Sequence, residues 1–228
     1  VPIKHSAAVS SMKSLQKDIP TDVPGGVRCL QFSQYTFDVS VQDIFYTWGV
    51  GGVLISATRE IMLGSFAKLA NLTKATHAHL TPAFAAGIQR KSCETLKVVT
   101  MIGEKLTQSV ADDWGYNMRA FNTYGPAEVT VVSTVREFGN EHRDIKSANI
   151  GWPLETVSVF VTKDQKTVMK NAVGELALGG PQLSDGYLNQ EETTRRKYVW
   201  NEEAGQMLYY TGDLVRMLSD GSLEYITR

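Results

Sequence analysis

Apolar and polar positions follow two different patterns along the chain. Up to about residue 135, short apolar runs such as GGVLISA and LKVVTMI are separated by stretches whose apolar residues recur at helical spacing. Val9, Met12 and Leu15 lie on one face of the first such stretch, and Ser6 is placed to cap it. Ser40 is placed in the same way before a second helix. Strands that alternate with helices predict βαβ units and a largely parallel sheet.

The pattern changes beyond Asn149, where short alternating segments replace the helices. These segments are SVFVT, GELALG, MLYYTG, LVRML and SLEYI, and Asp220-Gly221 is a tight-turn dipeptide before the last of them. The charged stretch 136–147 before them is predicted to be a loop. We therefore expect an α/β fold: a mostly parallel sheet with flanking helices in residues 1–148, followed by a smaller antiparallel β-rich part in residues 149–228.

Composition narrows the class of protein. Hydrophobic residues at 43% and charged residues at 21% are ordinary globular values. A net charge of -1 provides no basic field for phosphates, so we expect no nucleic-acid partner. No run approaches the roughly 18 apolar residues of a membrane span, and we expect no membrane partner. The two cysteines have no metal-type spacing, which favours a reducing, cytoplasmic setting.

Three loops gather residues that suit binding chemistry. They are FDVS at 37–40, NTYGPAE at 122–128 and YTGD at 210–213. Ligands of open α/β sheets bind beyond the carboxyl ends of the strands. Gly125-Pro126 forces a sharp turn that would present Tyr124 and Glu128 on one rim, where a ring and a carboxylate suit a base, its phosphates and Mg²⁺. A plain turn is the alternative here, and Asp38 could instead serve the amino terminus of the helix that follows it.

Four motifs occur in the order FDVSVQDIF, NTYGPAEVTVV, GELALGGPQLSDGYLN and YYTGDLVR. In sequence and succession they resemble the core motifs of adenylation domains of nonribosomal peptide synthetases, which belong to the adenylate-forming superfamily. VVTMIGEKLTQ and RAFNTYGPAEVTVVST are similar to fungal synthetases of hydroxamate siderophores of the ferrichrome type. The resemblance implies an ATP- and Mg²⁺-dependent ligase. It would form an aminoacyl adenylate and pass the acyl group to the phosphopantetheine thiol of a carrier domain, beside condensation domains of the same synthetase.

The resemblance also implies a nucleotide site. Tyr124 matches the residue that stacks on adenine, and Asp213 matches the carboxylate that holds both ribose hydroxyls, which suits a bidentate acceptor. Glu128 matches the catalytic, magnesium-associated carboxylate. The other implied contacts to the nucleotide are those of Gly103, Glu104, Asn122 and Arg228.

The implied amino-acid site begins with Asp38, which would pair with the substrate ammonium. Acyl-CoA synthetases have no ammonium to neutralise, so Asp38 favours an amino acid. The matching side-chain pocket positions are Val39, Gln42, His79, Thr100, Ile102, Thr123, Val131 and Val132. Small residues mixed with hydrogen-bonding ones suit a long polar substrate such as an N5-acyl-N5-hydroxyornithine. His79 could equally be an interior histidine, and His5, His77 and His142 are interpreted as structural or surface residues.

The chain departs from the family pattern in three places. Ala127 stands where the motif usually has Thr. The family's phosphate loop would fall before Val1 and its lid with the catalytic Lys after Arg228, so we expect little turnover from these residues alone. Two other functions stay open: an acyl-CoA synthetase-type ligase, and a non-catalytic module that binds an adenylate.

Overall fold

The computed structural model describes residues 1–139 and 146–228; His142 and the middle of the predicted loop lie outside them. The chain forms two compact units. We call them the parallel-sheet unit, Leu15–Thr123 with Glu137–Ser147, and the β-rich unit, Val1–Ser14 with Tyr124–Arg136 and Ala148–Arg228. The units are discontinuous in sequence, whereas the sequence analysis placed one division between residues 148 and 149.

The parallel-sheet unit contains five strands in the order β2-β1-β3-β4-β5, and every neighbouring pair is parallel. They are β1 (Arg28–Leu30), β2 (Val53–Ile55), β3 (His77–Leu80), β4 (Val98–Met101) and β5 (Arg119–Tyr124), whose last residue belongs to the β-rich unit. The helices are α1 (His5–Asp18), which begins in the β-rich unit, α2 (Val39–Val41), a π-helical turn (Gln42–Tyr46), α3 (Thr47–Gly49), α4 (Arg59–Gly64), α5 (Phe66–Thr73), α6 (Pro82–Ala86) and α7 (Gln108–Trp114).

The two faces of this sheet differ in chemistry. Side chains alternate along a strand, so Ala78 and Leu80 enter an apolar core while His77 and His79 face the other way. Trp114 of α7 is fully buried in that core. Each fully buried large apolar side chain contributes roughly 1.5–3 kcal/mol to folding. The apolar face therefore anchors the sheet, and the opposite face carries the polar side chains of interest.

The β-rich unit contains an antiparallel sheet in the order β6-β7-β13-β12-β10-β8-β9, with β11 on β12. Its elements are β6 (Thr134–Glu137), β7 (Asn149–Pro153), β8 (Ser158–Lys163), β9 (Lys166–Thr167), β10 (Val173–Gly179), α8 (Glu191–Lys197), β11 (Tyr198–Asn201), β12 (Gln206–Met217) and β13 (Leu223–Thr227). The predicted fold class, a parallel α/β sheet with a smaller antiparallel part, is confirmed.

The two predicted serine caps are wrong. Helix α1 begins at His5, so Ser6 lies inside it. Ser40 lies inside α2, where its buried hydroxyl donates to the carbonyl of Phe37 at 2.7 Å. Threonines cap other helices instead: the hydroxyls of Thr81 and Thr107 accept backbone hydrogen bonds at the starts of α6 and α7.

Two strand predictions also need correction. The segments MLYYTG and LVRML form the single strand β12, because the ladder with β10 resumes after a register shift at Gly212. The β-branched run VTVVSTV at 129–135 also favours a strand, but β6 begins only at Thr134. Thr130 and Val131 have φ of 54° and 71°, and these left-handed conformations interrupt a strand.

Candidate functional site

A tight backbone turn places Tyr124 at the end of β5. The Tyr124 carbonyl accepts a hydrogen bond from the amide of Ser133 at 2.7 Å. A Cβ atom on Gly125 would lie 2.3 Å from the carbonyl oxygen of Val131 and 2.8 Å from the Ser133 amide nitrogen. Only glycine fits this approach of two backbones. Gly125 therefore fixes the direction in which the chain leaves Tyr124.

Tyr124 and Asp213, which are 89 residues apart in sequence, are hydrogen-bonded in the β-rich unit. The Tyr124 hydroxyl donates to Asp213 Oδ2 at 2.6 Å. Burial, the hydrogen bond and the charge of Asp213 raise the pKa of Tyr124, which keeps the phenol protonated. Arg228 Nε lies 3.7 Å from the other oxygen, Oδ1. A carboxylate with about four lone-pair sites still has capacity for a diol, so the arrangement fits the predicted ribose site.

Tyr225 completes this group and was missed by the sequence analysis. Its ring centroid lies 6.4 Å from that of Tyr124, with 44° between the planes. Burial and the nearby Asp213 raise the pKa of Tyr225. Two aromatic rings beside a carboxylate provide a surface for a planar base and its sugar. SLEYI was interpreted only as a strand, and no local sequence signal marks its Tyr as a partner of Tyr124.

Glu128 is held at both its backbone and its carboxylate. It lies in a 3₁₀ turn, Ala127–Val129, directly after Pro126. Its carbonyl accepts a hydrogen bond from the Ser184 amide at 2.9 Å, and its carboxylate accepts one from the Tyr187 hydroxyl. The side chain is partly exposed. A partly exposed carboxylate is the contribution that a protein usually makes to Mg²⁺ held with phosphates, so Glu128 fits the magnesium role.

A strained segment follows Glu128. Thr130 and Val131 are β-branched and adopt left-handed conformations, which cost roughly 1–3 kcal/mol each. Gln182, fully buried, stabilises the segment: its amide donates to the carbonyls of Val129 at 3.1 Å and Val132 at 2.8 Å. The Thr130 hydroxyl donates to the Gln182 carbonyl at 2.6 Å. Gln182 thus positions both buried pocket candidates, Val131 and Val132, and explains why this segment belongs to the β-rich unit.

Asp38 and Val39 lie at the start of α2 in the parallel-sheet unit, and both are partly exposed. The Asp38 side chain makes no capping hydrogen bond to α2. A carboxylate that served only the helix amino terminus would usually make that bond. The alternative role of Asp38 as a helix cap is therefore not supported.

Gln42, His79 and Thr100 form a buried hydrogen-bonded set. His79 Nδ1 lies 3.0 Å from Gln42 Nε2 and 2.6 Å from Thr100 Oγ1. Burial, with a smaller contribution from His77, lowers the pKa of His79 to about 3. His79 is thus a neutral interior histidine, and its Nε2 has no hydrogen-bond partner among the described residues.

The same polar face contains a second buried set that the sequence analysis missed. Asp43 Oδ2 accepts the amide of Ser33 at 3.0 Å, while burial raises the pKa of Asp43 well above its usual range. Burial and Asp43 also raise the pKa of the Cys29 thiol. One ligand atom each from Cys29, Asp43 and His79 lies within 4.8 Å of the others. The layer beneath the predicted pocket residues is polar, and these shifts favour neutral forms.

Three further predicted residues lie near strand ends: Ile102 and Gly103 follow β4, and Thr123 is the penultimate residue of β5. Ile102 is buried, and the buried Thr123 hydroxyl donates to the carbonyl of Met101 at 3.0 Å. Gly103 is exposed with φ +86°, and a Cβ there would meet nothing within 4 Å. Ile102 and Thr123 are thus fixed interior positions, whereas Gly103 leaves backbone open to a ligand.

Glu104 and Asn122 each have a partner in the parallel-sheet unit. Glu104 is exposed, and its carboxylate accepts the amide of Ala83 at 3.0 Å, in the first turn of α6. Asn122 is 5% exposed, and its amide donates to the carbonyl of Ser147 at 3.2 Å. Glu104 therefore has a structural role at a helix start, and the hydrogen bond to Ser147 holds the Asn122 side chain in place.

Comparison with known proteins identifies the family. The family model of AMP-binding enzymes matches residues 1–188, and the chain belongs to this family. The chain is 79% identical over its full length to the nonribosomal peptide synthetase sidC of Aspergillus fumigatus, and 51% identical to the siderophore peptide synthetase fer3 of Mycosarcoma maydis. It spans 5% of each of these relatives. The predicted resemblance to fungal siderophore synthetases is confirmed.

Solved structures agree on the fold. The nonribosomal peptide synthetase FmoA3 superimposes with a TM-score of 0.89 at 22% identity, covering 99% of this chain and 26% of that one. The Vibrio cholerae adenylation domain AlmE, solved with glycyl-adenosine-5'-phosphate, gives 0.85 at 26% identity, covering 99% and 44%. Within residues 1–139 and 146–228, no helix is long and apolar enough to cross a membrane.

Proposed function

We propose that the chain is part of an amino-acid-activating adenylation domain of a nonribosomal peptide synthetase that makes a hydroxamate siderophore. The substrate carboxylate attacks the α-phosphate of ATP, pyrophosphate leaves, and an aminoacyl adenylate results. The observation that carries the proposal is the Tyr124–Asp213 pair, which places a ring beside a nearly buried carboxylate, 7% exposed, in an AMP-binding enzyme. Such a pair suits a base and the cis-diol of its ribose.

The proposal assigns six residues to the nucleotide. Tyr124 stacks on adenine and Asp213 accepts the ribose hydroxyls, while Arg228 contacts the ribose. Asn122 hydrogen-bonds the adenine amino group, and the exposed backbone at Gly103, with Glu104, lies below the nucleotide.

Glu128 is the carboxylate that holds Mg²⁺ with the phosphates of ATP. When bound, Mg²⁺ neutralises negative charge on the phosphates. What the chain itself contributes is a carboxylate of fixed position, because the 3₁₀ turn, Ser184 and Tyr187 restrain Glu128.

The amino acid is recognised by Asp38, which pairs with the substrate ammonium. An unpaired carboxylate or ammonium in a closed site is costly, so this pair discriminates against acids without an amine. The side chain of the substrate meets a lining of neutral hydrogen-bonding groups, since Gln42 and Thr100 carry no charge and burial keeps His79 neutral. That lining favours an uncharged polar side chain such as N5-acyl-N5-hydroxyornithine over the cationic side chain of ornithine.

The proposal includes partners and a location. The acyl group passes to the phosphopantetheine thiol of a carrier domain, and condensation domains of the same synthetase use it. This chain spans only 5% of each of these two relatives, which supports a larger, multidomain parent protein. Cys29 and Cys93 are free and buried among the described residues, which supports a reducing, cytoplasmic setting.

Substrate-dependent ATP–pyrophosphate exchange by the complete adenylation domain tests the proposal. We expect exchange with N5-acyl-N5-hydroxyornithine and less with ornithine. Asp38→Ala should lower it at least roughly 30-fold, because loss of one partner of a buried ion pair costs about 2–5 kcal/mol. Glu191→Ala, which removes only an exposed ion pair on α8, is the control.

Each alternative function has its own signature in this experiment. Exchange driven by fatty or aryl acids and unchanged by Asp38→Ala would indicate an acyl-CoA synthetase-type ligase. Absence of exchange together with calorimetric binding of an inert acyl-adenylate analogue would indicate a non-catalytic module. Equal rates with ornithine, hydroxyornithine and its acylated form would contradict the pocket assignment.

A further inference from the structure

The Glu128 carboxylate is restrained by a residue far away in sequence. The Tyr187 hydroxyl donates a hydrogen bond to Glu128 Oε1, across 59 residues of chain. The backbones of the two segments are joined as well, because the Ser184 amide donates to the Glu128 carbonyl at 2.9 Å. Both ends of Glu128 are thus attached to the segment QLSDGY at 182–187.

The position of Tyr187 is itself determined by α8. The Tyr187 amide donates to Thr194 Oγ1 at 2.9 Å. Gly186 precedes it with φ +120°, and a Cβ there would lie 2.3 Å from Thr194 Cγ2. Glycine is therefore required at this position, and the packing of Gly186 on Thr194 directs the Tyr187 ring toward Glu128.

Two other tyrosines lie beside Tyr187. The Tyr209 hydroxyl lies 3.4 Å from the Tyr187 hydroxyl. The Tyr198 ring packs edge-on to Tyr187, with centroids 5.9 Å apart, but its own hydroxyl is hydrogen-bonded to Ser184. Tyr198 therefore belongs to the same cluster, but its hydroxyl is bonded to Ser184 instead of Glu128.

We propose that Tyr187 is a positioning residue for Glu128: its phenol restricts the carboxylate to one orientation for the Mg²⁺ that accompanies ATP. This inference rests on the proposed function of Glu128. A phenol that occupies one lone-pair site leaves the carboxylate capacity for the cation. Partners that orient a metal-binding carboxylate are typically worth 10- to 100-fold in metal affinity or activity.

The first test measures the hydrogen bond without any reaction. Urea unfolding is measured for wild type, Tyr187→Phe, Glu128→Gln and the double variant. We expect the loss of stability in the double variant to be smaller than the sum of the two single losses, because either change alone already breaks the hydrogen bond. Single losses that simply add in the double variant would overturn the proposal.

The second test measures pyrophosphate exchange by the complete adenylation domain over a range of Mg²⁺ concentrations. Tyr187→Phe should raise the Mg²⁺ concentration for half-maximal rate roughly 10-fold or more, with the KM of the amino acid unchanged. The matched control is Tyr198→Phe, which removes a phenol from the same cluster and should leave the Mg²⁺ requirement unaltered. An equal Mg²⁺ requirement in wild type and Tyr187→Phe refutes the positioning role, whereas a wild-type domain without exchange refutes the proposed function instead.

Discussion

The pH dependence of stability should report directly on the buried His79. In the folded chain its pKa is lowered from 6.5 to about 3, because burial penalises the charged ring. The unfolded chain binds a proton near pH 6.5 that the folded chain does not bind, so stability is lost as the pH falls from about 6.5 toward 3. At pH 5 the loss relative to pH 7.5 amounts to about 2 kcal/mol for this one residue. His77, whose pKa is also lowered by burial, adds in the same direction.

The assay is urea unfolding of the chain at intervals between pH 5 and pH 7.5, compared with His79→Asn. Asparagine keeps an oxygen acceptor near the position of Nδ1 for the Gln42 amide but does not titrate. We expect the variant to have a lower unfolding free energy than wild type at pH 7.5. Between pH 7.5 and pH 5, the variant should lose about 2 kcal/mol less unfolding free energy than wild type. The control is His5→Asn at an exposed position on α1. Parallel pH profiles of wild type and His79→Asn would refute the neutral, buried state of His79.

Three further substitutions test other parts of the structure. Tyr124→Phe removes the donor to Asp213 and should cost about 1.5–3 kcal/mol of unfolding free energy in urea titration, as for hydrogen bonds to charged groups; no loss would contradict the pair. Gln182→Ala leaves the carbonyls that Gln182 pairs unsatisfied and should cost at least roughly 2 kcal/mol in the same assay, whereas a loss under 0.5 kcal/mol would contradict its stabilising role. Asp43→Asn removes a carboxyl whose folded pKa is raised, so wild type should lose stability relative to the variant as the pH rises through that pKa; a constant difference between pH 4 and pH 8 would contradict this.

The parallel sheet was predictable because its strands are short apolar runs between turn signals. The failures have local physical causes. Serine is a residue type that commonly caps helices, but the Ser40 hydroxyl donates its hydrogen bond to the carbonyl of Phe37 within the same turn. Gly212 has the appearance of a strand end, yet its φ of +83° is accommodated within β12, where the ladder with β10 shifts register and Glu175 accepts the Gly212 amide at 2.8 Å.

Within the candidate site, only the roles that recognised motifs imply could be predicted from the sequence. Tyr124, Glu128 and Asp213 occur in recognisable loops, so the resemblance identified them. Gln182 and Tyr187 lie in the motif GELALGGPQLSDGYLN, but their roles could not be found in this way, because their partners lie about 50–60 residues earlier in the chain. Contacts between residues this far apart in sequence can be seen only in the folded chain. They hold the motif residues in position, which the motifs themselves do not reveal.

Direct detection of the acyl adenylate tests the central claim most sharply. The complete adenylation domain is incubated with ATP labelled at the α-phosphate, Mg²⁺ and N5-acyl-N5-hydroxyornithine, and the enzyme-bound products are separated. We predict a labelled aminoacyl adenylate that requires the amino acid and is lost in Asp213→Ala. Labelled product that forms equally without the amino acid, or no labelled adenylate from a folded wild-type domain, would contradict the assignment.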